Sequence, residues 1–211
     1  MKAILISIRP QWVEKILNGI KKDEIRKGTA IGKAINRLIE EQGVAPMLIY
    51  CTHGRHLLDL RKEDTKDNYR LTTQNKSNNV RWSYPPLLNG KVVARFNATA
   101  DKFEWDSCAR DNDGYWLENG NKLDLKPTCL SYEELFDYIK GGEGTAIHIQ
   151  DLEIFDKPKE ISEFNAYCKG EMKCLHCKHH WTDDSSGYSI DKCGRKPLTR
   201  APQSFCFIEI E

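Results

Sequence analysis

The sequence predicts an α+β protein in which a curved sheet or open barrel is flanked by about three helices. Three observations lead there. Short β-rich apolar runs alternate with stretches whose apolar residues recur at helical spacing. No segment repeats itself and no heptad pattern is sustained. No apolar run approaches the ~20 residues of a membrane-spanning helix, and 39% apolar with 30% charged residues is an ordinary composition for a water-exposed globular domain. A chain of 211 residues can build one sizeable core, so the expectation is a single domain over 1–211 with no membrane partner.

The elements follow in order. "AILISI", Ala3 to Ile8, is a buried strand by its unbroken apolar run. A helix over Pro10 to Asn18 follows: Pro10 suits a first turn, Trp12, Val13, Ile16 and Leu17 share one face, and Gly19 terminates it. "KKDEIRK" reads as a strand whose period-two alternation puts Lys22, Glu24 and Arg26 on one face and Lys21, Asp23, Ile25 and Lys27 on the other. Ile31, Ile35, Leu38 and Ile39 mark a second helix before Gly43, and "APMLIYCTH" resumes as a strand. The polar stretch 57–86, with its "TTQNKSNN" tract, reads as a long loop insertion. A long strand starts near Lys91. Ser131 three residues before Glu134 is a capping-box signature for a third helix over Tyr132 to Lys140. "TAIHIQDLEIFDKP" and "QSFCFIEI" close the set as strands.

The net charge of +1 conceals polarity along the chain. Lys2 to Arg37 holds nine basic residues against three carboxylates, whereas Ala98 to Asp137 holds ten carboxylates against four basic residues. Such asymmetry can focus an anionic partner on one surface, or the opposite faces can pair within the fold. The N-terminal apolar run is about six residues with no cleavage-site pattern, so a cytoplasmic, reducing compartment is expected. There, clustered cysteines point to metal ligation or catalysis rather than to disulfides.

Lys21, Glu24 and Arg26 form the first candidate site. A carboxylate beside a guanidinium forms an ion pair, and a neighbouring lysine can neutralise a phosphate. Alternatively Glu24 accepts a proton or the exocyclic amine of a base while Arg26 keeps it ionised. The plain alternative is a partly exposed structural ion pair.

At "LISIRPQWVEKILNGIKKDEIRK" the chain resembles the ASCH family, a branch of the PUA-like β-barrels, whose pattern is a strand, a short helix of the form "P.y...il.G.K" and a strand "vElR". Leu5 to Ile8, Pro10, Val13, Ile16, Leu17, Gly19, Lys21, Glu24 and Arg26 occupy the matching positions. "GKVVARFN", "AIHIQDLEIFDKPKEISEF" and "RAPQSFCFIEI" look like counterparts in a subgroup common in phages and their bacterial hosts. The resemblance implies a PUA-like open barrel whose mouth binds RNA or modified nucleotides; one fold hosts many sites, so it does not by itself settle a function. Some members are amidohydrolases on N-acylated cytidine and some are reported as ribonucleases. The amidohydrolase lysine falls on Lys21, but its threonine falls on Glu24, and Lys22 stands where related sequences carry a threonine. A threonine nucleophile therefore has no counterpart, and any catalytic role would rest on Lys21 and Glu24. Around the same strand-to-helix turn, Ser7 and Arg9 are candidate ligand contacts, and Trp12 is a stacking platform or a core residue. Gln203 and Ser204 after "RAP" could add polar contacts at the mouth, and Arg200 charge. Arg81, Trp82 and Tyr84 offer a second stacking surface or a capped turn.

The segment "CKGEMKCLHCKHH" packs three cysteines and three histidines into thirteen residues. The CxxC of Cys174 and Cys177 can place two thiolates on one ion. Cys193, before a glycine, supplies a third and Cys168 a fourth, with His176, His179 or His180 as alternatives to Cys168. Four thiolates make a closed tetrahedral site, so the expectation is a structural Zn²⁺ stapling a small insertion over 165–199. Reduced free thiols are the alternative. The surrounding lysines then partly offset the site's own negative charge. Cys51 and Cys206 lie in apolar runs and read as buried small hydrophobes. Three functions compete: RNA or modified-nucleotide binding, a small hydrolase, and a phage-type accessory protein that meets a host protein through the acidic face Asp101 to Asp113.

Overall fold

The run "KAILISI" is apolar but for Lys2 at its start and Ser7 next to its end, and it becomes β1 (Lys2–Ile8), buried at every residue. A strand apolar on both faces must be central and covered twice. It pairs in parallel with β3 (Pro46–Cys51) and antiparallel with β10 (Phe205–Glu209). The computed structural model describes residues 1–63, 66–73, 87–106, 114–167 and 197–210, with the backbone alone over 59–63 and 66–73.

Between β1 and β3 the chain makes α1 (Pro10–Leu17), β2 (Asp23–Lys27) and α2 (Ala30–Gln42). Pro10 opens α1, whose buried side is Pro10, Val13, Ile16 and Leu17. Gly43, at φ 80°, ends α2 and returns its N–H to Ile39 O at 2.8 Å. The two helices lay their apolar faces on the sheet and enclose the largest core cluster, centred on Ile4, Ile6, Ile35, Leu38 and Ile49.

A long antiparallel ribbon carries the rest. β6 (Lys91–Asp106) and β8 (Glu143–Glu160) run side by side, with register shifts near Val92 and Arg95 that bend the pair. β7 (Gly114–Leu117) adds to β6, and α3 (Tyr132–Ile139) carries the expected Ser131–Glu134 capping box. A second cluster built on Phe103, Tyr115, Leu135 and Ile139 seals α3 to the ribbon. With β9 (Asn165–Ala166), the eight-stranded sheet runs β2-β8-β6-β3-β1-β10-β9.

The expected α+β class, curved sheet and three helices are present; the sheet is mixed and does not close into a barrel. One expectation is corrected. The described part of 57–86 is not an irregular loop: β4 (His56–Glu63) and β5 (Lys66–Thr73) form a hairpin with an unbroken register from His56↔Thr73 to Glu63↔Lys66. Polar composition hid it, because a two-stranded ribbon outside the main sheet needs little apolar periodicity. Among the described residues no helix is long and apolar enough to cross a membrane.

The sheet curls strongly. β2 and β1 lie four strand steps apart in the order, ~19 Å if the sheet were flat, yet the Arg26 guanidinium on β2 donates from Nη2 to Ser7 O on β1 at 2.7 Å. The gap thus narrowed between them is where the charged residues meet.

Phe103 packs its ring over Gly144, its cross-strand partner, and a Cβ on Gly144 would lie 2.3 Å from Phe103 Cζ. Phe103 is fully buried, so the ring has nowhere to retreat. Gly144→Ala should destabilise the protein by about 1–3 kcal/mol, read as a lower midpoint in urea denaturation with an unchanged slope.

Candidate functional site

Strand alternation puts Lys21 opposite Glu24, but the structure brings them together. After α1 the chain reverses through Gly19, at φ 71°, with Ile20 N–H and Lys21 N–H both donating to Lys15 O. Lys21 therefore precedes β2 and is outside its pleat. Its Nζ lies 3.5 Å from Glu24 Oε2, donates to Thr128 O at 2.6 Å and sits 5.2 Å from the Trp12 ring centroid. Lys22, expected beside Glu24, is exposed, and its N–H donates to Pro127 O.

Glu24 is the centre of the arrangement. Its Oε1 meets Arg26 Nη2 at 3.2 Å while its Oε2 faces Lys21. Glu24 is 6% exposed and Lys21 3%, so this is a buried cluster and not the solvated ion pair that the sequence also allowed. Burial holds the Lys21 ammonium below the ordinary lysine range, with Glu24 opposing that shift. Removing the carboxylate would strand two cations out of water, a change that costs about 3–5 kcal/mol in buried pairs. Among the described residues the Arg26 Nε is buried without a hydrogen-bond partner.

A turn far away in sequence completes the seat of Lys21. The short 3-10 turn Lys126–Thr128 ends at Cys129, at φ 58°, which aims the Thr128 carbonyl at Nζ. Thr128 is fully buried; its hydroxyl donates to Leu125 O and accepts from Leu130 N–H. The turn is rigid because its side chain closes it.

These groups form the floor of a cleft of about 490 Å³. Ser7, Arg9, Gln11, Trp12 and Thr52 line one side, Leu130, Glu134 and Tyr138 the other, and Gln203 the rim. Six of the seven residues expected to contact a ligand thus converge here: Ser7, Arg9, Lys21, Glu24, Arg26 and Gln203. The Ser7 hydroxyl is already committed, donating to Pro202 O at 2.7 Å. Ser204 does not line the cleft; its carbonyl accepts Ser7 N–H at 3.1 Å, which ties the segment before β10 to β1. Trp12 serves both readings, packing against the core and lining the cleft. Thr128, Glu134 and Tyr138 are contributions the sequence did not signal, since only the packing of α3 against β2 brings them in. A larger groove, about 1,090 Å³, lies near Phe155 and Phe164, but its charges are exposed pairs such as Arg95 with Glu153.

On the other side of β2, His148 on β8 bridges Asp23 Oδ1 at 2.9 Å and Asp101 Oδ2 at 3.2 Å, linking three strands. The Asp23 hydrogen bond, against the opposing pull of burial, raises the imidazolium to about 9.

The predicted metal ligands Cys168, Cys174, Cys177 and Cys193, with His176, His179 and His180, lie outside the described residues, as do Arg81, Trp82 and Tyr84. Cys51 is buried as expected, its thiol pushed up to about 12 by desolvation; Cys206 is half-buried, at about 11. Of the acidic face, Asp101, Glu104 and Asp106 are exposed. Compared with protein-family models, curated proteins and solved structures, the chain matches none.

The His148 bridge carries a pH signature. A pKa raised from about 6.5 to about 9 adds stability that is complete below the lower value and is lost as pH rises through the upper one. His148→Asn should therefore melt lower than the parent at pH 6, and the two melting curves should converge by pH 10.

Proposed function

We propose that the cleft binds single-stranded RNA or a modified nucleotide, with Arg9 meeting phosphate at the lip and the base entering between Trp12 and the α3 side. The observation that carries this reading is the buried Lys21–Glu24–Arg26 cluster at the foot of a cleft with aromatic walls. Two cations around one carboxylate leave a positive floor, and Arg9, exposed and without an ion pair among the described residues, adds to it. Positive charge draws the phosphate backbone, and an aromatic face accepts a base of any identity. The cavity volume suits a nucleoside-sized group. The resemblance to ASCH sequences and their open PUA-like barrel supports the same ligand class.

A second reading, a small hydrolase acting on N-acylated cytidine or on RNA, draws support from the desolvated Lys21 beside Glu24: lowering an ammonium toward neutrality is how a lysine becomes a general base. The committed hydroxyls of Ser7 and Thr128 leave that reading without a nucleophile from either. Binding to a host protein through the acidic face is the third proposal, and exposed Asp101 and Glu104 are its anchor.

For residues 165–199 the ligand spacing supports a structural zinc held by Cys168, Cys174, Cys177 and Cys193. Metal analysis of the purified protein should find one zinc per chain, and Cys174→Ser with Cys177→Ser should abolish it.

Fluorescence anisotropy with a labelled single-stranded RNA should show affinity that falls steeply with salt. Arg9→Ala should weaken binding roughly fivefold and flatten the salt slope by about one phosphate contact. Unchanged affinity in that variant, or intact RNA bound no better at low salt, overturns the reading; product formation that Glu24→Gln abolishes turns it to the hydrolase.

A further inference from the structure

β2 is an edge strand, and its pairing parity settles which backbone groups are left over. In an antiparallel pair, directly opposed residues alternate between exchanging hydrogen bonds and exchanging none. Ile149 N–H donates to Lys22 O, and Gly28 N–H to Glu143 O, at the two ends of the β2–β8 register. The even-numbered residues of β2 thus bond to β8. Asp23, Ile25 and Lys27 turn their N–H and C=O away from it.

Those outward groups meet different fates. At one end Asp23 follows directly on the residues held by the turn Lys126–Thr128, which takes Lys22 N–H on Pro127 O and Lys21 Nζ on Thr128 O, and Asp23 does not line the cleft. At the other end the chain leaves the strand at Gly28, φ 74°, and Lys27 is exposed to water. Ile25 alone lies within the cleft, and its side chain is packed into the cluster with Phe103, Leu135 and Ile139. What Ile25 presents to the cleft is consequently its main chain. Among the described residues neither its amide nor its carbonyl has a hydrogen-bond partner. A residue only 4% exposed that leaves both groups unpaired has an unfilled requirement.

We propose that the Ile25 N–H and C=O are the recognition pair of the cleft, reading the Watson–Crick edge of one unpaired nucleobase. The N–H donates to a ring nitrogen or carbonyl acceptor of the base, and the C=O accepts from the neighbouring N–H; each of the four bases offers such an adjacent pair on that edge. A main-chain pair does not discriminate strongly among bases, so selectivity is against modification of the edge itself. An extended peptide is the other partner a strand edge recruits, but it needs outward groups from at least two alternate residues, and of the outward-facing residues of β2 only Ile25 lines the cleft. The inference rests on the nucleotide reading of the cleft and specifies how the base is held.

The test replaces the Ile25 amide by an ester, through incorporation of the α-hydroxy analogue of isoleucine into the full chain, so that the N–H is lost and the side chain kept. The probes are labelled single-stranded hexanucleotides of each base, and the best-bound one remade with methyl groups on the ring nitrogen of its Watson–Crick edge. The ester protein should melt cooperatively, because this N–H is outside the β ladder, and should bind the hexanucleotide roughly tenfold more weakly. The same ester at Lys27, whose N–H also points away from β8, should bind as the parent does, and the parent should lose the methylated hexanucleotide to a similar extent. If the hexanucleotide binds but neither the Ile25 ester nor the methyl groups weaken it, the edge-reading inference is overturned and nucleotide binding stands. If no hexanucleotide binds, both fall; competition by an extended peptide in place of a base overturns the inference in favour of strand addition.

Discussion

One guanidinium holds the two sides of the cleft at a fixed separation. Arg26 reaches from the edge strand β2 to the main-chain carbonyl of Ser7 on the central strand β1, and the same nitrogen meets Glu24. Without that link the curled sheet has only backbone twist to set the gap. With it, the width of the gap becomes a property of one side chain's length and of the carboxylate that keeps it in place. Glu24 in turn needs Lys21, and Lys21 needs the Thr128 carbonyl. The four groups form a chain from β1 through β2 to the turn before α3, and each is buried or nearly so. A low-dielectric setting makes every member costly to remove and every geometry hard to loosen.

That interdependence explains why a charged cleft can sit on so small a scaffold. The charges are placed by a strand, a strand-preceding turn and a 3-10 turn, none of which is long, and their orientation is set by hydrogen bonds to main chain rather than by packing volume. The apolar clusters serve as supports: one anchors α1 and α2 under β1 and β3, another anchors α3 over Phe103 and thereby carries Glu134 and Tyr138 to the cleft wall. The His148 bridge on the reverse of β2 has the same office, since it pins the edge strand from behind.

Much of this was legible in the residues. The apolar run of β1, the helical spacing of α1 and α2, and the Ser131–Glu134 cap each name their element because local pattern and tertiary role agree. Six of the candidate ligand residues lie together because five of them are close in sequence along the β1–α1–β2 excursion and the sixth, Gln203, sits in the tail that leads into β10, the antiparallel neighbour of β1. The failures are equally local. Period-two alternation misplaced Lys21 because the pleat begins two residues later, at Asp23. The hairpin β4–β5 was hidden by polar composition. Thr128 and Tyr138 were invisible because their approach to β2 depends on α3 docking on Phe103, a long-range event with no sequence period.

The shielding of β2 bears also on self-association. An open sheet has two edges, and an unprotected edge is a template on which another copy can add a strand. Here one edge is the five-residue β2, set between a tight turn and a chain reversal, and the other is β9, two residues long. Among the described residues, then, the main sheet stops short of a barrel and ends in short strands on both sides, which gives a second copy little rim on which to continue it.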